Sequence, residues 1–327
     1  MNNQFLQDKK ILFIGPKFNG YENEIIAALR SKGAHVDFFL EKINSLTAHY
    51  ITKFSRMVGN RIQANHMDNI LNNVQAEYDY LFVIRGETLS PDFFDQLFQR
   101  SKINHKMMYQ WDSVRATPNI MNIAKNFDKI YSFDYEDCQQ RNFKYLPLFY
   151  INAFVDNQHI KPIYDFSFIG QFHSDRHKYL IDIKKFAKER NLSVNFKMKM
   201  TPLRFVQKKL FDKSFKDISI QDVIFKNISL EQVSLIVKKS KILIDVVNTL
   251  QSGLSIRTFE VLGADRKLLT NNKNIQNEKF YNPNCICMIE NVNDEFIKSK
   301  CHIDNFQEYS IDGWLDKLFQ YVDVVYE

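Results

Sequence analysis

The chain has 327 residues, 45% hydrophobic and 25% charged, with 29 Phe and a formal net charge of +6. That length exceeds what one hydrophobic core normally supports and predicts two domains of roughly 150 residues each. The apolar content excludes intrinsic disorder, and no run reaches the ~20 apolar residues of a membrane span. In chain order, KILFIG (Lys10 to Gly15) reads as a strand ended by glycine, and YENEIIAALRSKG places Ile25, Ile26 and Leu29 on one helical stripe that Gly33 stops. AHVDFFL is the next strand, and Leu46 to Gln75 is mostly helical. YDYLFVIRG, HKMMYQWD and FDKIYSFD are three further apolar strands separated by helix-compatible stretches. Such alternation predicts a parallel sheet covered on both faces, with ligands at the carboxyl ends of the strands.

KYLPLFYINAFVDNQHIKP, bracketed by Pro147 and Pro162, breaks the rhythm and marks a junction, giving expected domains at 1–160 and 161–327. The α/β pattern then restarts with YDFSFIG, a helix from about Asp175 to Arg190, and the strand LSVNFKM. The helix SLEQVSLIVKKS, the strand KILIDVV, a short helix ending near Gly263, and the strands KLLT and CICMI follow. Trp314, Leu315, Leu318, Phe319 and Val322 recur at helical spacing, which predicts a last helix able to pack back on the amino-terminal domain.

The strongest chemical signal is SGLSIRTFEVLGADRKLLT, Ser252 to Thr270. A strand leads into a glycine loop, and a short helix presents Arg257 and Glu260 one turn apart. A nucleotide diphosphate needs amides and a cation for its pyrophosphate and a carboxylate for its ribose hydroxyls. Gly253 with the helix start, Arg257 and Glu260 supply one of each, although an exposed helical ion pair worth under ~0.5 kcal/mol is the bland alternative. YDFSFIGQFHSDRHKYL places Gly170 at a strand end and Arg176 in the first turn of the next helix; an ordinary β-α turn with a solvated arginine reads equally well.

The Ser252 to Thr270 segment resembles the donor-binding motif of bacterial glycosyltransferases of the two-Rossmann (GT-B) fold, particularly group-1-like and CgeB-like enzymes of capsule and lipopolysaccharide biosynthesis. Gly253, Arg257, Phe259, Glu260, Gly263 and the strand from Lys267 to Thr270 follow that pattern in order. The resemblance implies two Rossmann-like domains facing across a cleft, an acceptor domain followed by a nucleotide-sugar donor domain. It gives Glu260 the ribose, Arg257 the pyrophosphate, and Gly170 and Arg176 a place near the donor phosphates. Ser252 stands where retaining members with a Glu-x7-Glu motif carry their first glutamate, which counts against retention.

In the amino-terminal domain the strand ends Arg85-Gly86-Glu87, Trp111-Asp112-Ser113 and Phe133-Asp134 are candidate acceptor sites. An inverting transfer needs a carboxylate to take the acceptor's proton. Asp112 is the first choice, beside a Trp111 able to stack on a sugar, and Glu87 the second; helix capping competes for Asp112 and is favoured for Asp134. Gly15 opens a loop, GPKFNG, that is not G-x-G-x-x-G and argues against a nicotinamide or flavin; with Arg85 and Trp111 it would line the acceptor side.

Between Lys197 and Lys216 seven Lys/Arg face one acid, Asp212, which suits anionic lipid headgroups, an acidic acceptor or a solvated helix face. No nucleic-acid motif accompanies this charge. His173 and His177 at i, i+4 lack a third ligand, and the cysteines are scattered, with Cys285 and Cys287 reading as buried strand; no metal and no cofactor beyond the donor are expected. MNNQFLQDKK lacks the apolar core of a secretory signal, so the expected location is cytoplasmic, peripheral at the inner face of the cell membrane if the basic stretch meets lipid. A two-Rossmann sugar-nucleotide epimerase and a non-catalytic nucleotide-sugar binding module are the competing functions.

Overall fold

The computed structural model describes residues 5–43, 56–173, 175–247 and 251–320. The chain divides into a first unit, residues 1–147 with 314–327, and a second, residues 148–313. The expected helix from Leu46 is described from Arg56 onward; its first part and Val322 lie outside the described residues.

In the first unit the elements run β1 (Lys10–Gly15), α1 (Tyr21–Ser31), β2 (His35–Leu40), α2 (Arg56–Asn73), β3 (Glu77–Ile84), α3 (Pro91–Arg100), β4 (Lys102–Gln110), α4 (Ile120–Ile123), β5 (Lys129–Ser132), α5 (Tyr135–Arg141) and β6 (Lys144–Tyr145). The strands form one parallel sheet in the order β2-β1-β3-β4-β5-β6. The strand order changes its sense between β1 and β3, where one crossover leads outward to β2 and the next returns to the other side; this is the switch point at which such sheets open a crevice. One face of the sheet packs Leu12, Ile14, Leu81 and Val83 against Ile70 of α2 and Phe94 of α3. Ser90 caps α3 by accepting from the Phe93 amide, and Pro91 starts it, where a missing N–H costs nothing.

The second unit runs β7 (Tyr164–Gln171), α6 (Arg176–Glu189), β8 (Val194–Lys199), α7 (Pro202–Phe211), β9 (Val223–Ile224), α8 (Leu230–Lys238), β10 (Ser240–Asp245), α9 (Ile256–Gly263), β11 (Lys267–Thr270), β12 (Ile286–Met288) and α10 (Asp294–Lys298). Its parallel sheet has the order β12-β11-β10-β7-β8-β9. Renumbered within the unit this is the 3-2-1-4-5-6 order of a dinucleotide-binding Rossmann sheet, with its switch point between β7 and β10. Phe166, Phe168, Phe196, Met198 and Ile244 form its core with α6. The final helix, α11 (Ile311–Gln320), sets Trp314 edge-on to Tyr109 at 4.9 Å and Phe319 against Phe82 at 5.7 Å, covering the first sheet's other face.

The cysteines correct the sequence reading. Cys285 is buried just before β12, as a strand residue would be, but it is bonded to Cys301, 16 residues on; Cys138 and Cys287 are free thiols.

Candidate functional site

At the switch point of the second sheet, Gly170, next to last in β7, lets the Arg176 guanidinium approach; a Cβ there would lie 3.3 Å from Nη1. Arg176 Nε donates to the Val246 carbonyl at 2.6 Å and Nη1 to the Gln171 carbonyl at 2.9 Å, so the side chain bridges the carboxyl ends of β7 and β10. Asp245, the last residue of β10, is buried and accepts from Ser255 Oγ at 2.5 Å and Thr258 Oγ1 at 3.2 Å. Ser255 in turn caps α9, accepting from the Arg257 amide at 3.1 Å. The turn before α9 is held from the other side, where Asn272 Nδ2 donates to the Gly253 carbonyl and Asn274 Nδ2 to that of Ser252.

This framework fixes Arg257 and Glu260, which form an ion pair across one helical turn. The pair is not the exposed one that spacing alone allows: the side chains are 17% and 2% accessible. Burial lowers the Arg257 guanidinium to about 10, still charged at neutral pH, and raises the Glu260 carboxyl. Burial also lowers Arg176, with Asp245 opposing and Arg257 adding to the shift, so two cations and one anion sit within electrostatic reach at a helix start. Two guanidiniums beside a helix start favour an anion there. Asp245 escaped the sequence analysis because a strand-terminal aspartate is ordinary; its role comes from the hydroxyls that α9 brings to it.

His177 is a core residue, with Nε2 2.8 Å from Ser214 Oγ and its ring against Phe172 and Phe215. Burial, then the Arg176 and Arg204 charges, push the His173 imidazole down to about 4. Among the described residues no group of three or more His, Cys, Asp or Glu is arranged to hold a metal ion.

In the first unit, the strand-end residues Arg85, Glu87 and Asp112 come together. Arg85 Nη2 lies 2.5 Å from Glu87 Oε2 and its Nε 3.4 Å from Asp112 Oδ2. Arg85 has φ +70 and is followed by Gly86 at φ +69, a turn that a large side chain adopts only under constraint. The constraint is on both sides: the Arg85 amide donates to the Tyr109 carbonyl and Gln110 Nε2 donates to the Arg85 carbonyl. Burial raises Asp112, with Arg85 opposing and Glu87 reinforcing. No helix follows Asp112, so capping is not its role, whereas Asp134 does cap α5 through the Asp137 amide.

A fourth residue, Glu41, joins them just beyond β2. It is 2% exposed, and among the described residues its Oε2 meets no hydrogen-bond donor. Burial pushes its carboxyl up to about 7, against the pull of Arg85 and with the push of Glu87. Its amide donates to the Gly15 carbonyl and its own carbonyl accepts from Thr88 Oγ1 and Gln63 Nε2, so Gly15 borders the same cluster. The sequence signal was weak, one acid in the run LEKIN at a strand end.

The loop after Gly15 is closed to anions by its own chain: Glu22 Oε2 accepts from the Phe18 amide at 3.0 Å and the Gly20 amide at 3.1 Å. A phosphate would find those donors occupied by a carboxylate. Trp111 is buried, and the ring 5.0 Å from it, Phe18, is the more exposed of the two.

No protein-family model matches the chain, and no curated protein matches it in sequence. Solved structures match in fold. Anabaena Alr3699/HepE in complex with UDP and glucose is 10% identical, with a TM-score of 0.57 over 97% of this chain and 100% of that one. The UDP-GlcNAc 2-epimerase from Neisseria meningitidis bound to UDP-GlcNAc is 9% identical, with a TM-score of 0.56 over 96% and 99%. A putative UDP-N-acetylglucosamine 2-epimerase from Listeria monocytogenes is 11% identical, with a TM-score of 0.52 over 96% of each chain. What this chain shares with all three, along nearly its whole length, is the α/β architecture of two Rossmann-like units that defines the GT-B fold.

Proposed function

We propose that the protein is a glycosyltransferase that moves a sugar from a nucleotide-activated donor to a saccharide or lipid-linked acceptor in surface-polysaccharide synthesis. The observation that carries this reading is the presence of two arginines, Arg176 and Arg257, within electrostatic reach of each other and of Asp245 at the β7/β10 switch point, beside the start of α9. Arg257, Arg176 and the amides near Gly253 take the pyrophosphate, and Gly170 gives Arg176 room. Glu260 takes the ribose hydroxyls; before donor arrives it is turned onto Arg257, and the diphosphate competes for that guanidinium. In the first unit Asp112 accepts the acceptor's proton, Glu87 is the second choice, and Gly15, Arg85 and the Phe18–Trp111 pair line the acceptor side. The arginines balance the diphosphate charge, so the scheme calls for no metal ion. The resemblance of the Gly253 to Gly263 segment to group-1-like and CgeB-like transferases supports the choice.

A sugar-nucleotide epimerase is the second reading, favoured by the fold relatives bearing that name and by a first-unit carboxyl cluster suited to moving protons. Product analysis separates the two. A transferase releases the nucleoside diphosphate only with acceptor present, or slowly by hydrolysis, whereas an epimerase returns an altered nucleotide sugar without acceptor. A binding module does neither. Thermal shift with UDP, GDP, CMP and dTDP compounds identifies the base. Arg257→Ala and Glu260→Ala should each weaken nucleotide binding by roughly tenfold to a hundredfold, as for hydrogen bonds to charged groups; unchanged affinity in both refutes the assigned donor site.

A further inference from the structure

Helix α7 exposes more large apolar surface than any solvated role requires. Leu203 is 69% accessible, Val206 51%, Leu210 70% and Phe211 84%. The helix is well formed, with Thr201 capping it through the Arg204 amide and Pro202 at its first position, so this exposure belongs to an ordered element. At about 100° per residue, Phe205, Lys208 and Asp212 share the inward side. Phe205 packs edge-on to Phe215 and Phe225, at 6.0 Å each, and Lys208 holds Asp212 at 2.7 Å. Leu203 and Leu210 point the opposite way, with Val206 and Phe211 on their shoulders. Arg204 lies beyond Phe211 on one flank and Lys209 beyond Val206 on the other. Arg204, Lys208, Lys213 and Ser214 also border an open depression of about 580 Å³ beside Phe211.

The geometry points to α7 as a bilayer-docking helix: its Leu203, Val206, Leu210 and Phe211 ridge enters the boundary between headgroups and acyl chains, and Arg204, Lys209 and Lys213 meet anionic headgroup phosphates. Charge selects this occupant. Seven cations lie between Lys197 and Lys216, and the single acid, Asp212, is already held by Lys208 and by Ser214, whose hydroxyl lies 2.5 Å away. A second copy of the chain on the same face in a two-fold contact would bring the flanking cations of α7 against their own copies. An anionic surface instead pairs with the flanks while lipid covers the ridge, the arrangement of an interfacial amphipathic helix. The inference goes beyond the proposed reaction and holds for a transferase or an epimerase alike.

Flotation of the full chain with phosphatidylcholine vesicles, with and without phosphatidylglycerol, tests it. Binding should require phosphatidylglycerol and weaken as salt rises. It should fall at least about tenfold in Leu210→Ser/Phe211→Ser, and about fivefold for each of Lys209→Gln and Lys213→Gln. All four positions are exposed, and the Lys209 ammonium donates to the Lys216 carbonyl at 2.7 Å; circular dichroism and melting temperature, expected unchanged, check that every variant folds. Trp111 and Trp314 are both buried, so Phe211→Trp adds an exposed indole whose emission should shift to the blue on anionic vesicles. Three results overturn the proposal: no binding to either vesicle, equal binding to neutral vesicles, or a dimer that Leu210→Ser/Phe211→Ser dissociates without any vesicle binding. Nucleotide thermal shift on the same variants should be unchanged, which keeps failure here distinct from failure of the donor site.

Discussion

Glu41 carries a carboxyl displaced from 4.5 to about 7 because folding removes it from water faster than Arg85 repays it. A carboxyl raised in this way binds its proton more tightly in the folded chain. Its stabilising contribution is therefore complete below about pH 4.5 and disappears as pH climbs through about 7. Glu41→Gln, uncharged throughout, should be more stable than the parent at pH 8 by on the order of 2–3 kcal/mol and no more stable than the parent at pH 4.5. A gain of the same size at both pH values would show that burial of the charge is not the cause. Glu41 lies within electrostatic reach of Arg85, and Asp112, also raised by burial, lies against the same Arg85, so the first unit holds two carboxyls displaced upward around one guanidinium. Burial and a neighbouring charge are the means by which carboxyls are tuned for proton transfer. None of this was visible in LEKIN. The exposure of a glutamate after a strand depends on the neighbouring strand ends, and here Gly15, Arg85 and Thr88 close over it.

Helix α9 is only eight residues long, and its position rests on contacts at both ends. Ser255 and Asp245 hold its start. At its end, Gly263 meets the Tyr150 ring so closely that a Cβ would lie 2.5 Å from Cγ and 2.8 Å from Cδ1. Gly263→Ala must therefore displace the ring or the helix, and overpacking of this kind costs about 1–3 kcal/mol. Denaturation should register that loss, and nucleotide affinity should fall with it because Arg257 and Glu260 ride on the helix; a fully stable variant would mean the ring moves freely aside. The glycine itself was legible as a helix stop. The reason for it was not, since Tyr150 lies more than a hundred residues earlier. Helix α7 was read as basic, a solvated face among the options, yet which of its residues face outward depends on where Phe205 finds Phe215 and Phe225.

Across the whole molecule, the two sheets have different strand orders, and each puts its candidate site at its own switch point. The closing helix α11 belongs to the first unit's packing from Trp314 onward. Trp314 is fully buried between Tyr109 and Phe82, so Trp314→Ala should cost about 3–5 kcal/mol, measurable as a lowered denaturation midpoint. A loss below about 1 kcal/mol would show that the helix contributes little. The apolar runs and their glycine stops by themselves determined the alternating strands and helices, the parallel sheets, and the places where ligand-facing residues had to emerge, because period and chain punctuation are local properties. Arg85, Glu87, Asp112, Arg176, Arg257 and Glu260 could be singled out as candidates because strand ends and the helix starts that follow them are the ligand edge of any such sheet. Only the tertiary structure brought Glu41 and Asp245 to those residues, paired Cys285 with Cys301, covered Trp111 with Phe18 and turned the apolar side of α7 to solvent. Those outcomes depend on which distant segments are packed together, and on how far each buried charge is thereby removed from water.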